Sequence, residues 1–383
     1  MTAVPIAPFG DVLALFRDRA ELSRTEVMEL TGLSRSTVNG RLTALADAGL
    51  IEEIGGGEST GGRPSSRFAF RADRAVVIAA DIGATGLTVG VCDLAGEPLR
   101  HVSRAIDVWQ GPEAVLAEVA SAVDELAIAD EVWGVGVGVP GPVEFAAGRV
   151  VNPPIMTGWD GFDIAGWFGA RWAVPVVVEN DANARAVAEA RAIGSDNLIS
   201  LKLGTGVGSG LVFNGAIIRG SDGAAGDVGH TRSTAADDEN PLPCRCGNLG
   251  CVEAYAGGWA LRRDLDELGI ATASVADLVE QVRRGQAEAV QAVRRAGRVL
   301  GDAIAGLVSV LNPATIVLSG LLADTGEVLL SGIRERVYQR AAPLATRNLE
   351  IRLSTIGELV GVRGLALVAA DRVLAHEAGV GAA

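Results

Sequence analysis

LKLGTGVGSGLVFNGAIIRG, residues 201–220, reads as a strand, a glycine-rich turn at Gly204-Thr205-Gly206-Val207-Gly208, a second strand and an Asn214-Gly215 turn signal. The same pattern occurs about 120 residues earlier. There, AVVIAADIGATGLTVGVCDLAG (75–96) sets Asp81-Ile82-Gly83-Ala84-Thr85-Gly86 between two strands. Glycine lets backbone approach a phosphate, a threonine hydroxyl can donate to it, and a carboxylate at a strand end can hold hydrated Mg²⁺. Either motif alone is equally a plain hairpin turn. Together they suggest two related lobes facing a common cleft. Asp81, Gly83 and Thr85 would line one phosphate loop, and Gly204, Thr205 and Gly206 the other.

The chain between and beyond the hairpins supplies chemistry. PVVVENDANARAVAEARAIG (175–194) is a buried-type strand ending in Glu179-Asn180-Asp181, followed by an alanine-rich helix. A carboxylate at a strand's carboxyl end suits a general base or an acceptor for a sugar hydroxyl. Asp181 is also expected to cap the helix. The strongest constellation is GAAGDVGHTRSTAADDENPLPCRCGNLGCVEAYAGG (223–258). His230 and Cys244-x-Cys246-x₄-Cys251 offer one imidazole and three thiols, a soft ligand set for a closed tetrahedral zinc site of structural type. The alternative is three unconnected reduced thiols. With Cys92 far away, four cysteines do not form a disulfide framework.

Residues 1–74 read differently. Residues 8–20 place Val12, Leu13, Leu15 and Phe16 on one face. SRTEVMELTG (23–32) opens with Ser23 as N-cap and Glu26 at the capping-box position. After the Gly32-Leu33 turn, SRSTVNGRLTALADAGL (34–50) predicts a helix capped by Ser34, with Val38, Leu42 and Leu45 as its buried stripe. Ser36, Asn39, Gly40 and Thr43 lie opposite, flanked by Arg35 and Arg41. Two helices joined by a short turn make a helix-turn-helix, whose second helix enters the DNA major groove. LIEEIGGGESTGGRPSSRFAF (50–70) follows as a hairpin wing, with Arg63 and Arg67 at and just after its tip. The DNA-contact candidates are therefore Arg35, Ser36, Asn39, Arg41, Arg63 and Arg67. A small helical bundle with a loose linker is the competing reading.

The composition sets bounds. A formal charge of −14 argues against a general nucleic-acid coat. Nine Arg against ten Asp and Glu leave residues 1–74 at −1, so the remainder carries −13. Lys202 is the single lysine. Apolar runs are strand-sized, short of the ~20 residues a membrane span needs, and the start has no basic, apolar leader pattern. A cytoplasmic protein with no membrane partner is expected.

The head resembles the winged helix-turn-helix of MarR-like and ROK-type regulators, including the string GGRPSSRF. Residues 75–383 resemble the ROK family (repressors, open reading frames, kinases) through DIGAT, GVGVPGPV, VENDANARA, LGTGVGSGLVFNG, GDVGH and CRCGNLGCVEA. The paired hairpins are similar to the two-lobed actin/hexokinase-type, RNase H-like α/β ATPase fold. The resemblance implies that Asn180, Asp181, Asp227, His230 and Glu253 line a sugar pocket, with Asp181 at the kinase base position. It implies Zn²⁺ on His230, Cys244, Cys246 and Cys251, His230 serving both sites through its two nitrogens. The expected domains are a winged head (1–74), lobe 1 (75–190, completed by a C-terminal helix, 361–383) and lobe 2 (191–360, with the zinc loop 223–258). Three departures from the family's kinases are Gly86 for a Lys-like residue, Asp227 for a glutamate, and Ser319-Gly320 for Gly-Gly. With the head, they favour a regulator that senses a sugar or sugar phosphate and binds an operator as a homodimer or tetramer. An ATP- and Mg²⁺-dependent hexose kinase is the alternative.

Overall fold

The computed structural model describes residues 10–56 and 66–377. The head comprises α1 (Gly10–Asp18), β1 (Leu22–Ser23), α2 (Arg24–Thr31), α3 (Arg35–Asp47), β2 (Ile51–Gly56) and β3 (Ser66–Phe70). Ser23 and Glu26 form the reciprocal capping box at the start of α2, and the Ser34 side chain accepts from Thr37 N ahead of α3. Each such cap is worth about 1 kcal/mol. Val38, Leu42 and Leu45 are buried, while Arg35, Ser36, Asn39 and Thr43 face outward. β2 pairs antiparallel with β3, and β1 adds to the other edge of β3. The wing tip with Arg63 lies outside the described residues.

Lobe 1 follows as β4 (Val76–Ile82), β5 (Gly86–Asp93), β6 (Pro98–Ala105), α4 (Pro112–Glu125), β7 (Val132–Val139), the short β8 (Val143–Glu144) and β9 (Arg149–Val150), α5 (Ile164–Trp172), β10 (Val176–Asn180) and α6 (Asp181–Ile193). Its sheet runs β10-β7-β4-β5-β6, antiparallel through the hairpins and parallel from β4 outward. Lobe 2 contains β11 (Leu198–Leu203), β12 (Val207–Phe213), β13 (Ala216–Ile217), α7 (Glu253–Ala256), α8 (Gly258–Glu267), α9 (Val275–Arg283), α10 (Ala287–Leu311), β14 (Thr315–Ser319), α11 (Glu327–Arg340), α12 (Pro343–Thr346) and β15 (Glu350–Leu353). Its sheet, β13-β12-β11-β14-β15, has the same strand order and the same mix of directions. The two Gly-Thr hairpins are thus equivalent corners of two equivalent sheets.

β4 is buried along its whole length because both its faces are covered. Ile78, Ala80 and Ile82 pack toward α4 and α5, while Val77 and Ala79 pack beneath α13 (Val360–Glu377) with Leu365 and Ala369. The C-terminal helix therefore returns to lobe 1. α6 lies against α13 on one side and against β11 and β12 on the other. That approach needs Gly210, where a Cβ would stand 2.6 Å from Ala182 O and from Ala186 Cβ. α6 thus forms the seam between the lobes, backed by α13. Among the described residues, no helix is long and apolar enough to cross a membrane.

Candidate functional site

One cavity of about 850 Å³ opens between the lobes. Asn180, Asp181, Asp227, His230 and Glu253 all line it. So do Asp81, Gly83 and Thr85 from the first hairpin and Gly204, Thr205 and Gly206 from the second. Residues as far apart in sequence as Asp81 and Glu358, 277 positions, meet here.

The strand-to-helix corner differs from the sequence expectation in its cap. Asn180, not Asp181, caps α6: its Oδ1 accepts from Ala182 N (3.0 Å) and Asn183 N (3.2 Å), and its Nδ2 donates to Gly141 O (2.9 Å). With the cap amides taken by Asn180, Asp181 is left to other partners. Its Oδ2 accepts from Lys202 Nζ, on β11. Burial pushes the Asp181 carboxyl up, against the pull of the Lys202 ammonium. One turn further along α6, Arg185 Nη2 donates to Asp81 Oδ2 at 2.8 Å. Lys202 and Arg185 received no role from the sequence. The signals were present in the solitary lysine and in the i, i+4 spacing of Asp181 and Arg185.

Glu179, at the same strand end, is engaged as well. It is 1% exposed and accepts from Arg219 Nε at 2.8 Å, Asn180 N at 2.9 Å and Asn183 Nδ2 at 3.0 Å. Arg219 belongs to lobe 2 and also lies over the Phe145 ring of lobe 1, 3.7 Å from its centroid. This is a lobe-to-lobe clasp that fixes the corner carrying Asn180 and Asp181.

Glu253 is committed as well: Oε2 accepts from Val207 N (2.9 Å) and Oε1 from Trp259 Nε1 (3.0 Å). The amides of Gly258 and Trp259, at the start of α8, donate to Gly204 O and Thr205 O, each at 3.0 Å. The second hairpin is therefore held by the segment that immediately follows Cys251. Asp227 opens onto the cleft with its carboxyl raised, chiefly by desolvation and secondarily by Glu253, against the pull of His230.

His230, Cys244, Cys246 and Cys251 converge, their ligand atoms within 4.8 Å of one another. Cys244 Sγ lies 3.6 Å from His230 Nδ1, and Cys246 Sγ 3.7 Å from Cys251 Sγ. Ligands bound at about 2.0–2.3 Å in a tetrahedron have edges near these lengths, so the group fits a metal ion. Burial, followed by the neighbouring thiols, pushes Cys251 up to about 12. A dication supplies the positive charge such thiolates require. Nδ1 turns to the cluster while the His230 residue also lines the cleft.

In the head, Arg35, Ser36 and Asn39 lie exposed on α3, and Arg41 is partly buried there. Arg67, expected just after the wing tip, lies on β3. Its guanidinium turns inward to Glu21 (2.8 Å) and Glu26 (3.3 Å), because β3 lies beside the start of α2 and two carboxylates are within reach.

Comparison with known proteins matches these two parts separately. Residues 77–372 match the ROK family, and residues 12–65 match the C-terminal domain of DIP2311-like transcriptional regulators. The xylose repressor of Caldicellulosiruptor bescii is 26% identical over 94% of this chain and 94% of its own. A glucokinase of Thermotoga maritima is 30% identical, covering 78% of this chain and 98% of its own. Among solved structures, a ROK family transcriptional regulator described as a homologue of the E. coli MLC protein superposes with a TM-score of 0.82 at 24% identity, covering 97% and 98% of the two chains. A ROK glucokinase from Streptomyces griseus, solved with glucose and AMPPNP, gives 0.68 at 30% identity over 77% and 99%. A helix-turn-helix head with a paired β-hairpin thus stands on two equivalent α/β lobes, four residues that could hold a metal ion lie beside the cleft, and the chain belongs to the ROK family.

Proposed function

We propose that this protein is a sugar-responsive transcriptional repressor of carbohydrate-metabolism genes. The observation that carries this reading is that two helices each begin at the cleft and end on the head. α6 starts at Asn180 and Asp181, and Arg191 near its far end pairs with Asp18 of α1. α13 starts where Gly361 packs directly on the Asp81 carboxylate, and its Asp371 pairs with Arg17 of α1. A helix of 13 residues spans about 20 Å as a stiff rod. A ligand that draws the lobes together moves these rods, and α1 with them.

Asn180, Asp181, Asp227, His230 and Glu253 form the sugar pocket in this reading, and the metal is a structural zinc. Through Cys251, Glu253 and the amides of α8, zinc would stiffen the second hairpin. A homodimer presents its α3 helices about 34 Å apart, one DNA turn. Arg35, Ser36, Asn39 and Arg41 face the major groove, with Arg63 in the wing. Sugar changes that spacing and lowers operator affinity; couplings of this kind are typically about 1–3 kcal/mol.

The similarity to glucokinases supports a second reading, a hexose kinase with Asp181 as base. Asp181 already has an oxygen engaged by the Lys202 ammonium, so an acceptor hydroxyl would have to compete for it, which favours the sensor. Gel-shift titration with an operator fragment, with and without a panel of pentoses and hexoses, tests the proposal. One sugar should weaken binding several-fold without ADP appearing when ATP is supplied. Operator affinity indifferent to every sugar, or rapid sugar-dependent ADP release, would refute it.

A further inference from the structure

The cleft floor holds four charges in a chain that sugar recognition alone does not require. Asp181 and Arg185 stand i, i+4 on one face of α6. Asp181 meets Lys202 from lobe 2, and Arg185 meets Asp81 from lobe 1. The carboxylate side chains are only 5% and 9% exposed, respectively, so water does not substitute readily for either partner. A phosphoryl-transfer cleft needs one carboxylate to hold Mg²⁺ through its water shell and another to accept the acceptor's proton. Here both carboxylates already carry a cation of the protein.

These residues do not fit a magnesium–nucleotide. Mg²⁺ keeps a near-octahedral shell of oxygens and gives up its waters reluctantly. Asp81 has one oxygen on Arg185, with Gly361 packed against that same oxygen; the other, buried without a hydrogen-bond partner, could take a cation only beside this guanidinium. A dication there would meet a guanidinium, which cannot lose its charge. The remaining cation is the only lysine beside 32 arginines. A compact ammonium can reach a buried carboxylate from a strand where a planar five-donor fork cannot.

We propose that Arg185 and Lys202 are specificity-determining residues that exclude a divalent cation and its nucleotide from the cleft, so that the carbohydrate ligand binds without either. This deepens the sensor reading and rests on it, but the two are tested apart: sugar-driven release of DNA by the unaltered chain tests the sensor, and metal binding tests the exclusion.

The experiment uses full-length, zinc-loaded protein and Mn²⁺ as a paramagnetic probe, with and without AMPPNP. The unaltered chain should show no saturable Mn²⁺·AMPPNP binding in the micromolar range. Arg185→Ala should bind Mn²⁺ at least about tenfold more tightly. Adding Lys202→Thr should strengthen Mn²⁺·AMPPNP binding further, and adding Asp81→Asn should cancel the gain. Micromolar Mn²⁺·AMPPNP binding by the unaltered chain would overturn the proposal. So would an Arg185→Ala protein that melts cooperatively yet binds Mn²⁺ no better than its parent. Should that variant fail to fold, Arg185→Gln removes the charge and keeps the length, and the same two results decide.

Discussion

The hairpins at 81–86 and 203–208 are nearly interchangeable as strings and occupy equivalent sheet corners, yet they are wired to different parts of the molecule. The first turn is the longer, closing Gly83 N on Gly86 O, and its Asp81 is held from α6 and packed by α13, the two helices that lead to the head. The second closes Gly204 N on Gly206 O and is held by Glu253 and the start of α8, next to the metal cluster. Two equivalent sheets carry two similar loops. Their neighbours give one a signalling connection and the other a metal-organised one.

The clasp between these halves offers the largest expected effect. Arg219→Ala leaves Glu179 buried without its cation, and stripping one partner from such a pair costs about 3–5 kcal/mol. Thermal unfolding should show it, while Arg219→Lys should recover part of the loss; an unchanged melting curve would mean that the lobes do not depend on the clasp. At the head, Arg35→Ala with Arg41→Ala should weaken operator binding by roughly 2–4 kcal/mol and leave the sugar-induced thermal shift intact, since no residue of α3 lines the cleft. A shift that vanished along with DNA binding would contradict the separation of the two ends.

Cys246→Ser addresses the second hairpin. Sugar affinity should fall by about tenfold, roughly 1.4 kcal/mol, with operator binding preserved; full-strength sugar binding by calorimetry would break the link from cluster to hairpin. Asp18→Asn with Asp371→Asn addresses the first. Both ligands should still bind, but the ratio of operator affinities with and without sugar should approach one, and a ratio like the parent's would remove α6 and α13 from the signal path.

The smallest effect is one of pH in lobe 2. Burial opposes ionisation of Asp302, but hydrogen bonds from Arg336 and Thr234, with the charges of Arg336 and Arg340, hold its carboxyl below the ordinary 3.8. A carboxyl lowered in the folded state contributes stability above its unfolded value and loses it as pH falls through the folded one. Asp302→Asn should therefore be less stable than its parent at pH 7, and the difference should shrink below about pH 4. A difference constant with pH would show that the cost comes from packing.

Local signals served well wherever the physics was local. Ser23 with Glu26 and Ser34 predicted the helix starts because capping is settled within four residues. The stripe of Val38, Leu42 and Leu45 was legible as a 3.6-residue period. The His230–Cys251 spacing was legible because a metal ion demands a compact ligand set. The signal fails where a side chain has several reachable partners: Asp181 yields the cap to Asn180, and spacing alone did not foretell that Arg67 pairs with Glu21 and Glu26.

The sequence by itself determined the two glycine-rich corners, the helix-turn-helix and the candidate metal ligands, because each is written in neighbouring residue types or in a repeated pattern; Asp227 and Glu253 were expected at the cleft from the family resemblance. Only the tertiary structure decided which charge neutralises which. Lys202 and Asp181 are 21 positions apart, and Arg185 and Asp81 are 104 apart. Such pairings depend on how two sheets and two helices are stacked in space, and one-dimensional spacing carries no record of that.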